Sequence, residues 1–153
     1  MSNTPQQLLA RATRKAADDL VAALQRLPED KRNWSPMGNA RTALDQIAEC
    51  ALLNGRAADL IQTHTWSSDN NMDAFLRAKA ELAQDADAAQ SLLEQNTAKV
   101  IAAIEAVPDA DLGVEVQTPF RPMTLAQIIA YPYWNMTYHE GQINYIASML
   151  GCL

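Results

Sequence analysis

Tyr133-Trp-Asn-Met-Thr-Tyr-His-Glu-Gly-Gln-Ile-Asn-Tyr-Ile146 is the stretch on which the reading of this chain turns. It lies inside a longer pattern in which Leu125, Ile128, Ile129, Met136, His139, Ile143, Ile146 and Leu150 recur at helical spacing and trace one face. Thr124, with Gln127 three residues on, carries a capping box, and Gly151 follows as a stop. The stretch therefore belongs to a long final helix, apolar along one side, which needs partner helices to bury that side. Pro132 falls within the run and predicts a kink about one turn before Asn135.

On that helix Asn135 and His139 are four residues apart and point the same way. His139 sits at the centre of the apolar stripe, with Asn135 on its flank. A histidine so placed must satisfy both ring nitrogens. A metal on one with an acceptor on the other would do so, and so would two ordinary hydrogen bonds. Spacing alone leaves both readings open.

Working outward, Thr4-Pro5-Gln6-Gln7 opens a first helix, again with capping-box chemistry and a proline at the first helical position. Leu9, Ala16, Leu20, Leu24 and Leu27 continue it until Pro28, so the helix spans about residues 5–27. A loop from Pro28 to Asn39 follows, in which Trp34 is expected to cover an end of the core. Thr42 and Asp45 mark the start of a second helix, ending near His64, whose broad apolar arc predicts a central position in a bundle. Gly55, inside it, costs about 1 kcal/mol against Ala, so a close neighbouring backbone is expected there.

Residues 64–71 read as a polar loop. From Met72 to Val107 there is neither Gly nor Pro. The apolar stripe persists, but it is weak and Ala-rich around Ala83–Ala89, where a bend or a solvent-exposed stretch is expected. Residues 108–122 form an extended connector with a brief alternation at Val114, Val116 and Thr118, the pattern of a short edge strand. At about 15 residues it is long for a loop, and it is expected to cross the bundle or line a site. Four helical patterns in 153 residues make one all-α domain over 1–153, a four-helix bundle with a long extended connector before the last helix.

Composition narrows the function. A net charge of −6, with 12 Lys and Arg, argues against a duplex nucleic-acid partner, which needs a clustered basic surface. No apolar run reaches the roughly eighteen residues a membrane span needs. The first residues, Met1-Ser-Asn-Thr-Pro-Gln-Gln7, lack a leader pattern, and two cysteines, Cys50 and Cys152, make no disulfide framework. A reducing cytoplasm fits these features.

Tyr138-His139-Glu140-Gly141-Gln142-Ile143, before a helix end at Leu150-Gly151, resembles the last-helix signature of the DinB/YfiT-like superfamily of metalloenzymes. Trp34-Ser35-Pro36 before the second helix and Thr42-Ala-Leu-Asp-Gln-Ile-Ala-Glu49 within it match as well. The resemblance runs over nearly the whole chain. It implies a four-helix bundle in an up-down-down-up arrangement, often dimeric, so a homodimer is expected. It also implies a metal centre of three histidines, one from the second helix and a pair four residues apart on the last. Here Glu49 and Asn135 stand at two of those positions, and only His139 keeps the ligand type. The implied metal set is therefore Glu49, Asn135 and His139.

One imidazole, one carboxylate and one amide make a harder, less selective set than three imidazoles, with zinc or nickel the divalent metals expected. The resemblance implies a metal-dependent transferase or hydrolase acting on a small-molecule substrate with a low-molecular-weight thiol. That substrate would approach near Trp34 and the 108–122 connector. The alternative is a non-catalytic bundle, a small-molecule-binding or stress-associated dimer whose metal site has drifted. In it Glu49 accepts a proton from His139 and no metal is needed. Glu49 lies at the margin of its helix, a place where a carboxylate is solvated unless a neighbouring helix covers it.

Overall fold

The structure, a computed structural model, describes residues 4–153. The leader reading rests partly on residues 1–3, which lie outside the described residues. Five helices and a two-stranded ribbon follow in order: α1 (Pro5–Gln25), α2 (Ala43–Thr63), α3 (Met72–Leu82), α4 (Ala86–Glu105), β1 (Glu115–Val116), β2 (Met123–Thr124) and α5 (Leu125–Met149). Among the described residues no helix is long and apolar enough to cross a membrane.

The starts are chemically explicit. Thr4 and Gln7 exchange side-chain and backbone hydrogen bonds, and Thr124 and Gln127 do the same at α5, so both capping boxes form. Thr42 caps α2 through the Asp45 N–H. Free N–H groups of the first turns are also taken by the preceding loops. Leu44 N–H donates to Arg32 O at 3.1 Å, Leu125 N–H to Val114 O at 2.9 Å and Ala126 N–H to Leu112 O at 3.0 Å. His64 closes α2 in the left-handed region at φ 54, its N–H donating to Leu60 O.

Four helices make the bundle. α1 packs on α4 and α5, α2 packs on the same two, and α1 and α2 sit diagonally with few contacts. Their directions follow from the core. One cluster joins Leu20 and Leu24 of α1, Leu44 and Ile47 of α2, Leu93 of α4 and Ile143 and Ile146 of α5. The other joins Ala10 of α1, Ala58 and Ile61 of α2, Val100 and Ile104 of α4 and Leu125 and Ile129 of α5. The end of α1 thus meets the starts of α2 and α4 and the end of α5. This is the up-down-down-up arrangement, in which α2 and α4 run parallel.

Two parallel helices in sequence require a return path, and α3 supplies it. What reads in the sequence as one helix over 72–107 is two, separated at Ala83–Asp85, with Asp85 capping α4 through the Ala88 N–H at 2.9 Å. α3 lies along α2, anchored by Phe75 and by Lys79, so the bundle carries a fifth, outer helix. The connector runs between the end of α4 and the start of α5, which share one end of the bundle, so it has no need to cross it. It folds back as an antiparallel ribbon, Glu115 opposite Thr124 and Val116 opposite Met123, with Val116 buried.

Three smaller expectations resolve as follows. Trp34 is half-buried and packs on the first core cluster. α5 continues through Pro132, whose missing N–H leaves the Ile128 carbonyl without its helical partner. The close neighbour of Gly55 is a side chain, not a backbone. The Asn96 amide sits where a Cβ would lie, 2.7 Å from it, and donates to Ala51 O at 2.8 Å.

Candidate functional site

Arg41, Asp45 and Glu49 are spaced four apart and climb one face at the start of α2. α3 covers that face, which is why Glu49 is only 17% exposed despite its marginal position. Lys79 of α3 reaches Asp45 at 3.0 Å and Glu49 at 3.8 Å. Arg41 pairs with Asp45 and, through its second nitrogen, with Glu49 Oε2 at 2.8 Å. The other carboxylate oxygen, Oε1, lies 3.0 Å from His139 Nε2. Buried His139 completes its ring contacts at Nδ1, which is 2.9 Å from both Gln46 Oε1 and Gln142 Oε1.

The hydrogen-bond inventory of this ring is informative. Amide oxygens facing Nδ1 make that nitrogen a donor, and a carboxylate oxygen facing Nε2 asks for a second donor. Burial pushes the Glu49 carboxyl up, but the hydrogen bond from His139 and the charge of Arg41 outweigh it and hold the group down at about 2. Buried Cys50, the next residue, is driven the other way: burial pushes its thiol well above the ordinary range, and the Glu49 charge adds to that. Burial raises the Tyr131 phenol too, with Glu49 contributing.

Of the three residues singled out in the sequence, Glu49 and His139 are joined by a hydrogen bond. Asn135 is buried one turn away, with its amide nitrogen toward Cys50 Sγ at 3.6 Å, and among the described residues no hydrogen bond joins it to either partner. Sequence reasoning missed Arg41, Lys79, Gln46 and Gln142. Arg41 was findable from its four-residue spacing to Asp45 and Glu49, and Gln46 and Gln142 from lying three residues from Glu49 and His139. Lys79 carries no local signal.

This donor set does not fit a resident divalent metal. Both oxygens of Glu49 are engaged, one by a guanidinium and one by an imidazole N–H. Two fixed cations, Arg41 and Lys79, already balance Asp45 and Glu49, so a further double charge would meet repulsion. Among the described residues no three His, Cys, Asp or Glu side chains converge as a metal-holding group.

Two concavities flank the network. A cleft of about 850 Å³ borders Arg41, Gln46, Gln142, Tyr138, Tyr145 and Met149. Beside it Trp134 stacks on Tyr138 at 5.7 Å, and Tyr138 meets the His139 ring edge-on at 5.3 Å. A second pocket of about 150 Å³ begins one turn further along α2, at Leu53, and one turn before Asn135 on α5, at Tyr131. Thr118 and Phe120 of the connector line it. The connector therefore lines a pocket, as expected, whereas Trp34 lines neither.

A family profile described as the DinB superfamily matches residues 12–143. The chain belongs to the DinB superfamily. Among solved structures, a DinB-like protein from Bacillus subtilis aligns with a TM-score of 0.70 at 15% identity, covering 93% of this chain and 91% of that one. A mycothiol-dependent maleylpyruvate isomerase aligns with a TM-score of 0.72 at 14% identity, over 94% of this chain and 63% of its own. At such identities these likenesses concern the fold. A search of curated proteins found no match.

Proposed function

We propose that this DinB-like chain is a small-molecule-binding protein in which an ion-paired network replaces the metal at the centre of the bundle. The observation that carries the reading is Glu49. One oxygen is held by Arg41 at 2.8 Å and the other by His139 at 3.0 Å, so both are engaged by the protein's own side chains. Asn135 gives its amide nitrogen to Cys50 Sγ. The two concavities beside the network give a ligand somewhere to bind.

Metal analysis of protein purified without an affinity tag tests this. Zinc, nickel, manganese and iron should each be far below one per chain, and His139→Ala should lower stability by about 3 kcal/mol through lost packing and an unpaired Gln46 oxygen. Stoichiometric metal that disappears in both Glu49→Ala and His139→Ala would overturn the proposal.

A second reading draws on the mycothiol-dependent isomerase with the same fold. In it the chain is a thiol-dependent transferase or hydrolase, and a low-molecular-weight thiol occupies the cleft bordered by Gln142 and Tyr138. Thiol-dependent turnover that survives chelation and is lost in His139→Ala would favour it.

A further inference from the structure

The pocket of about 150 Å³ is mostly apolar, and Arg56 is the one charged residue on its lining. Leu60, Met123 and Ile128 form its walls, while Trp66 and Phe120 meet edge-to-face at its rim, ring centres 6.1 Å apart. Arg56 is half-buried, with its guanidinium carbon 4.5 Å above the Phe75 ring. That contact sets the cation over a ring face without using its N–H donors.

Among the described residues Arg56 has no ion pair and no side-chain hydrogen bond. The nearest acid along the helix, Asp59, is spent on Lys99 at 2.6 Å. A partly desolvated cation without an anion is unfavourable where it stands, and an incoming anion relieves that cost. Tyr131 adds a half-buried hydroxyl on the same lining, likewise without a hydrogen-bond partner among the described residues. A guanidinium fork and a phenol O–H on one pocket lining suit a carboxylate, which accepts two parallel N–H bonds from such a fork. The remaining volume sets the size of the rest of the ligand, because an apolar cavity of about 150 Å³ holds one benzene ring.

We infer that this pocket binds a small monocarboxylate with a single ring or a short branched tail, the carboxylate on Arg56 and the apolar part among Leu60, Met123 and Ile128. The inference rests on the small-molecule-binding reading and names the class of molecule.

Benzoate and phenylacetate, titrated against benzamide and benzyl alcohol by calorimetry and tryptophan fluorescence, test it on the whole chain. The carboxylates should bind about tenfold or more tighter than their neutral counterparts. Arg56→Gln should abolish that preference and leave benzyl alcohol binding unchanged. Phe120→Ala, at an exposed rim position, should weaken all probes together. The inference is overturned if wild-type protein shows no preference for the charged probes, if the preference survives Arg56→Gln, or if no probe binds at millimolar concentration. Should Arg56→Gln fail to fold, the wild-type comparison of benzoate with benzamide still decides. The two readings also fail separately. Stoichiometric metal at Glu49 with intact carboxylate preference removes only the metal-free reading, and metal-free protein without that preference removes only the pocket.

Discussion

Glu49→Gln is the most incisive perturbation of the network, because its effect must depend on pH in a definite direction. In the folded chain the Glu49 carboxyl is held at about 2 against an ordinary 4.5. A depressed acid stabilises the fold above its unfolded value and loses that contribution as pH falls toward its folded value. The window is therefore about pH 4.5 down to about 2. A shift of that size corresponds to about 3 kcal/mol, and at 17% exposure the carboxylate is not discounted heavily for solvent screening. Gln keeps the shape but not the charge, so it imitates the protonated acid. At pH 7 the variant should be about 2–3 kcal/mol less stable than wild type, and the difference should shrink through the acid window until the two converge near its lower end. Urea unfolding followed by circular dichroism at a series of pH values, with chelator present, measures this. Other carboxylates titrate in both proteins and cancel in the difference. A stability gap that stays constant from neutral pH into the acid window would refute the account of Glu49.

Two further outcomes follow from the packing. Gly55→Ala gains about 1 kcal/mol of helix propensity but displaces the Asn96 amide from Ala51 O, losing about as much, so its net effect should be near zero. In an Asn96→Ala background the same change should stabilise by about 1 kcal/mol in urea melts, and equal effects in the two backgrounds would contradict the contact. Cys50, buried and with its thiol pushed far up by desolvation, should resist an aromatic disulfide reagent in the native state, whereas partly exposed Cys152 should react; two thiols titrating together before unfolding would count against the burial.

The helix starts were the most legible part of the chain. Thr4 with Gln7 and Thr124 with Gln127 are local devices, so the sequence that encodes them also forms them. The break before α4 was harder to see. Ala83, Gln84 and Asp85 contain no Gly or Pro; the weak, Ala-rich stripe around them signals a bend, and Asp85 as a cap is the cue that makes it a break. Reading a bend where the chain breaks hid the outer helix, and with it the cover over Glu49. The approach of Glu49 to His139 was legible through the resemblance. What surrounds them was not, because Lys79 arrives from a helix 30 residues away by sequence and only the return path of the chain brings it there. Asn135 shows the opposite limit. Its place on the right face of α5 was correct, but its amide turns to Cys50, a choice that depends on α2.

Of its eleven residues, α3 buries only Phe75, so little apolar surface ties it to the bundle. Amide exchange should find it opening at a free energy well below that of the four core helices, as a separate unit. Each such opening withdraws Lys79 from Asp45 and Glu49 and uncovers the second helix from Glu49 toward Arg56. The bundle thus carries part of its own countercharge on a detachable segment. The potential at its centre is accordingly set by how much of the time that segment is in place.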